Sequence, residues 1–292
     1  MALVFRDYDR DALERQYTVT SESLRPRRDA REARVARANA RVRDARPRLL
    51  DLVYGRHPRE RLDYFPAEDD FAPLAVFLHG GYWRSRSKDQ FAYLAPTFTD
   101  AGVNLAVLGY PLAPEVRIAD IVASCRRAFH WLLSYPSRLR FDPTRVHVIG
   151  HSAGAHLAAM MLATDWTGHG LPAEAVKSAT CISGLYDLAP LALCRHLADL
   201  RLDDAEVAAL SPVNLSPPRH GGLIAAVGGA ESAEFHRQTE ALAAAWRARG
   251  IAAQRPAAPG HHHFDVLDAL ITPGTPLNRA VLCAIGGPRR FR

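Results

Sequence analysis

Gly150-His-Ser152-Ala-Gly154 places a serine between two glycines at the end of an apolar run, residues 145–149, and ahead of a helix-like stretch, 155–164. A strand that turns this abruptly into a helix has no room for side chains beside the turn. Glycines meet that need, and the central hydroxyl is left exposed above the sheet. Ser152 is thus a candidate nucleophile. A serine hydroxyl is a weak nucleophile until a base takes its proton, and the base needs a carboxylate to fix its tautomer. Later in the chain, Leu223-Ile-Ala-Ala-Val-Gly-Gly-Ala230 leads to Glu231, and a loop holds His261, His262 and His263 before Phe264 and Asp265. Serine, acid, histidine is the chain order of one known arrangement of such a triad.

Which carboxylate and which histidine take part is open at this level. Glu231 is preferred, with Glu234, Asp203 and Asp204 as rivals. His263 is preferred because it is the last loop residue before a helical run at 266–270. The histidine run could instead be a metal tract or a solvated loop. An acyl-transfer site also needs donors for an oxyanion. Gly80 and Gly81, after the apolar strand 74–78, and the amide of Ala153, next after the serine, are the candidates. Tyr82 and Trp83 follow directly and would form an aromatic wall or simply pack. Tyr186 and Asp187 follow another strand, where ligands bind in open α/β sheets. Cys181, His151, His156, Met160 and Met161 are read as structural.

Strands are expected at 62–65, 74–78, 103–108, 145–149, 179–182, 223–227 and 251–254, with helices at 91–101, 118–134, 155–164 and 235–248. This alternation predicts an α/β class, with a mostly parallel sheet covered on both faces. Residues 1–60 read as an N-terminal helical extension packing on the core. Residues 61–292 read as the main domain, with a helical insertion at about 186–220.

The 292 residues, 48% hydrophobic, suffice for one large core. No window approaches the ~20 apolar residues of a membrane span, and the charged first residues do not read as an export signal. Four scattered cysteines, Cys125, Cys181, Cys194 and Cys283, fit a reducing cytoplasm rather than a disulfide framework or zinc site. The net charge of +6 is local: ten arginines face only Asp29, Glu32 and Asp44 between Arg25 and Arg48, so the remainder is near neutral. Within that segment Val35, Ala38, Val42, Ala45 and Leu49 recur at helical spacing. The expectation is a solvated arginine helix resting on the domain by this stripe, with a polyanion contact as the alternative. No nucleic acid, membrane, metal or cofactor is expected; a homodimer is one arrangement the chain admits.

His79-Gly-Gly-Tyr-Trp83, Gly150-His-Ser-Ala-Gly-Ala-His156 and Ser183-Gly-Leu-Tyr-Asp-Leu188 together resemble the kynurenine formamidase (arylformamidase) branch of the α/β-hydrolases, near the hormone-sensitive-lipase-like esterases. The similarity extends through Tyr54-Gly55, Leu62-Asp-Tyr-Phe-Pro66, Glu231-Ser-Ala-Glu-Phe-His-Arg-Gln238 and His263-Phe-Asp265. The resemblance implies an α/β-hydrolase fold, with Ser152 as nucleophile, His263 as base and the acid at Glu231, where that family usually carries aspartate. It also implies a small aryl formamide or ester as substrate, N-formyl-kynurenine being the family's suggestion. A general short-chain carboxylesterase and a non-catalytic small-molecule-binding protein of the same fold are the alternatives.

Overall fold

The computed structural model describes residues 2–19, 22–218 and 220–286. The extension expected at 1–60, the insertion at 186–220 and the domain end at 292 each include residues outside this set. Eight strands form the central sheet: β1 (Leu49–Val53), β2 (Arg61–Phe65), β3 (Ala72–Leu78), β4 (Asn104–Leu108), β5 (Phe141–His151), β6 (Ser178–Ile182), β7 (Gly222–Ala226) and β8 (Ala252–Gln254). Their spatial order is β8-β7-β6-β5-β3-β4-β2-β1. Six of them, β3 to β8, run parallel, and β2 and β1 are added antiparallel at one side.

The parallel strands are buried on both faces, which is why they read as unbroken apolar runs. Along β3, Leu74, Val76 and Leu78 join one core with Ile121, Val122 and Phe129 of α3 (Ile118–Ser134) and with Leu157 and Met161 of α4 (Ala153–Leu162). Ala75 and Phe77 point the other way, toward Phe98, Leu267, Leu277 and Val281. Successive side chains of a strand lie on opposite faces, so a single strand feeds both layers. Cys181, Met160 and Met161 are buried in the first of these cores.

The expected helix at 91–101 is shorter: two turns of 3-10 helix lead into Ala95–Thr99, with Pro96 in the first turn, where its ring is tolerated. Several elements had no expectation. β1 is a sheet strand within the segment expected to be helical, and a helix at Pro276–Ile285 follows the one at Val266–Ile271. The N-terminal segment also forms a hairpin (Leu3–Phe5 with Tyr8–Asp9), α1 (Arg10–Tyr17) and the long arginine-rich α2 (Arg25–Ala45).

Chain order around β3 creates the site. After β3 the chain passes to β4 on one side, and returns by α3 to β5 on the other. The carboxyl ends of β3 and β5 therefore diverge into different loops, the place where open α/β sheets bind ligands.

Candidate active site

β5 is followed directly by Ser152, whose φ of 57° is strained for a residue with a side chain. The flanking glycines are there because the turn is crowded. A Cβ on Gly150 would meet the carbonyl oxygen of Gly154 at 2.0 Å, and one on Gly154 would meet that of Leu78 at 2.0 Å. The Ser152 N–H donates to the Ile182 carbonyl at 2.9 Å, which ties the turn to β6. α4 begins at the next residue and directs its N-terminal end at the hydroxyl.

His263 Nε2 lies 2.9 Å from Ser152 Oγ, and its Nδ1 lies 2.7 Å from Glu231 Oε2. With Nδ1–H donating to the carboxylate, Nε2 is left to accept from the serine hydroxyl. Glu231 Oε1 accepts from Ser183 Oγ at 2.5 Å and from the Gly228 N–H at 2.8 Å. Those two donors hold one oxygen of the longer acid while the other faces the imidazole. Neither Glu234 nor Asp203 competes for this place. Glu234 accepts from Tyr17 and Arg237, and Asp203 caps a helix through the Glu206 N–H.

The three histidines of the loop diverge. His261 Nδ1 is 3.5 Å from Asp265, and His262 stacks on Phe264. The His263 carbonyl is fixed by His151, whose Nε2 lies 2.9 Å away. Only an N–H can pair with a carbonyl, so His151 carries its proton on Nε2. Burial and the neighbouring His263 hold the His151 pKa well below the usual imidazole range.

The loop after β3 approaches from the opposite side. A Cβ on Gly80 would stand 2.9 Å from Ser152 Cβ, so this position must be bare for the loop to lie against the serine. Gly81, Tyr82 and Trp83 follow with φ of 115°, 50° and 56°. Among the described residues the N–H groups of Gly80, Gly81 and Ala153 have no acceptor. His79 braces this loop between the rings of Tyr110 and Phe91, and burial lowers its pKa to about 4.

Ser152 and His263 open on a cavity of about 760 Å³, lined also by Gly80, Gly81, Tyr82, Phe91, His151 and Phe264. Tyr82 is held there by its hydroxyl, which donates to the Tyr17 carbonyl. Trp83 and Tyr186, named with it as substrate-wall candidates, are not in the lining. Trp83 is fully buried edge-on against His156, and Tyr186 lies beneath Gly184 in the core. The turn that presents Tyr82 sends the next side chain inward. Asp187 is occupied by Arg237 and the Ala189 N–H.

One wall has no counterpart in the sequence reading. Arg28, Arg31, Glu32, Val35 and Asn39 of α2 roof the cavity. Val35, Ala38 and Val42 of the expected stripe rest on the domain, whereas Ala45 is exposed and Leu49 lies exposed in β1, outside the helix; many of the arginines are paired rather than merely solvated. Arg27 pairs with Asp265, Arg31 and Arg34 with Asp268, Arg43 with Asp63 and Asp89, and Glu32 with Arg86. Phe91, Ser183 and Gly228 are the other residues that pattern reading did not assign to the site. Ser183 and Gly228 lay in stretches already singled out, Ser183-Gly-Leu-Tyr-Asp-Leu188 and the run 223–230.

Several known proteins resemble this chain in sequence or in fold. A family model described as BD-FAE matches residues 62–178. The kynurenine formamidases of Salmo salar and Danio rerio are each 29% identical, over 97% of this chain and 98% of theirs. A crystal structure from Silicibacter sp. TM1040, described as a candidate thioesterase, superposes with a TM-score of 0.75 at 30% identity, covering 87% of this chain and 92% of that one. Esterase B from Lactobacillus rhamnosis shares the fold, with a TM-score of 0.66 at 18% identity over 91% of this chain and 96% of that one. The chain is an α/β-hydrolase that resembles the kynurenine formamidases over nearly its whole length, and it is a hydrolase.

Proposed function

We propose that Ser152, His263 and Glu231 are a catalytic triad, and that the enzyme cleaves small aryl formamides, N-formyl-kynurenine foremost, through a covalent formyl-enzyme. The observation that carries this reading is the unbroken relay from Glu231 through His263 to Ser152, with contacts of 2.7 and 2.9 Å, opening on the cavity. Ser152 Oγ attacks the formyl carbon as His263 Nε2 takes its proton. Glu231 accepts from Nδ1–H throughout, fixing the tautomer and stabilising the imidazolium. The developing oxyanion meets the N–H groups of Gly80, Gly81 and Ala153, which are already aimed and need no reorganisation. Collapse expels the aryl amine, which takes the proton from His263. Water, deprotonated by the same nitrogen, then releases formate and restores the serine.

The substrate assignment is supported by the end-to-end match to the two fish formamidases. It is also supported by the aromatic faces of Tyr82, Phe91 and Phe264 in a cavity of small-molecule size. The 30% identity to the Silicibacter protein favours a second reading, a short-chain carboxylesterase or thioesterase. The cytoplasm is the compartment this reading assigns, supported by four free thiols.

The test is kcat/KM on N-formyl-kynurenine against p-nitrophenyl acetate and butyrate. Preference for the formamide supports the first reading, and ester turnover with an inert formamide replaces it by the second. A fluorophosphonate should label the wild type and leave Ser152→Ala unlabelled.

A further inference from the structure

Asp265 stands two residues past His263, is buried, and takes no part in the relay. Its Oδ1 accepts the His262 N–H at 2.7 Å. The His262 carbonyl in turn accepts the N–H groups of Asp265 and Val266 at 3.1 and 3.0 Å, so the carboxylate closes the turn that contains His263. Its Oδ2 lies 2.6 Å from Arg27, in the first turn of α2. Among the described residues Arg27 is not part of the cavity lining, and its ion pair to the catalytic loop is the one with this carboxylate.

We infer that Arg27 is a positioning residue for the base: by pairing with buried Asp265, the roof helix locks the 262–265 turn, and with it the direction in which His263 presents Nε2 to Ser152. A buried carboxylate left without its cation is costly, so Asp265 without Arg27 turns toward water and gives up the His262 N–H. The turn then relaxes. A displacement of about 1 Å at a catalytic atom can cost on the order of a hundredfold in rate. His263 is held at its carbonyl by His151 and at Nδ1 by Glu231, so the loss here is smaller. The inference rests on the reading of His263 as base.

The experiment is steady-state kinetics of Arg27→Ala, Arg27→Lys, Arg34→Ala, Asp265→Asn and the Arg27→Ala/Asp265→Asn double variant, on whichever substrate the wild type turns over. Arg27→Ala should lower kcat about tenfold with KM within about twofold, and Arg27→Lys should recover most of the loss. Arg34→Ala, which loosens the same helix at Asp268, should leave kcat near wild type. Asparagine at 265 still accepts from His262 without a charge to neutralise, so adding Arg27→Ala to Asp265→Asn should cost nothing more. Unchanged kcat in Arg27→Ala, a loss confined to KM, an equal loss in Arg34→Ala, or additive losses in the double variant would each overturn the inference. The catalytic assignment fails on different data: turnover by Ser152→Ala or His263→Ala.

Discussion

At the scale of single residues, the proposed acid is a glutamate where the resemblance to the formamidases implies aspartate. Glu231 reaches His263 because its other oxygen is anchored by Ser183 and Gly228. Glu231→Gln should lower kcat by about 10⁴, the loss of a related triad given the wrong tautomer; near-normal turnover would assign the role to another carboxylate. Glu231→Asp, which restores the family's usual residue, should also be a loss here, on the order of tenfold or more. The shorter side chain cannot keep its donors and reach the imidazole together. Activity equal to or above wild type in that variant would show that the longer acid is merely tolerated.

At the scale of elements, the elbow between β5 and α4 is the least forgiving junction. Gly154→Ala drives a methyl group into the Leu78 carbonyl. It should destabilise the protein by about 3 kcal/mol, the upper range for overpacking, which for a chain of this size lowers the Tm by roughly 5 °C; a melt within a degree of wild type would contradict the crowding. This junction was readable in the sequence because its glycines report a local steric demand. Glu231 and His263 were readable because each follows a strand or precedes a helix, at positions the chain order dictates. Tyr82 and Trp83 were not separable, since neighbours in a tight loop point in unrelated directions, and Tyr186 follows another strand; only the fold decides which of the three meets the cavity. The stripe on α2 was legible as a packing edge, but its partners Asp265 and Asp268 lie near the other end of the chain. β1 was missed because Leu49-Leu-Asp-Leu-Val53 is a short edge strand directly after the arginine run.

At the scale of the whole molecule, charge has two consequences. The roof is joined to the body largely by ion pairs, several of them half-exposed and therefore screened by salt. Between about 0.05 and 1 M NaCl, kcat/KM should fall severalfold while the Tm changes little; parallel loss of both would mean that roof and body come apart together. Buried histidines act in the opposite sense to ordinary surface charge. Burial lowers the pKa of His79, His147 and His156 to about 4, from 6.5. In that interval the unfolded chain binds more protons than the folded one, so stability is complete above about pH 6.5 and is lost as pH falls toward 4. The Tm should therefore drop between pH 7 and pH 4, with part of that drop removed in His147→Asn, since His147 lies away from the cavity.

The roof also sets when the enzyme can first work. Arg27 and Arg31 close onto Asp265 and Asp268, so early and late parts of the chain meet over the serine. On the proposed assignment the base follows the nucleophile by 111 residues, and Asp265 and Asp268, which seat the roof, come later still. A polypeptide folding as it is made therefore holds the hydroxyl before it holds either activation or cover for it.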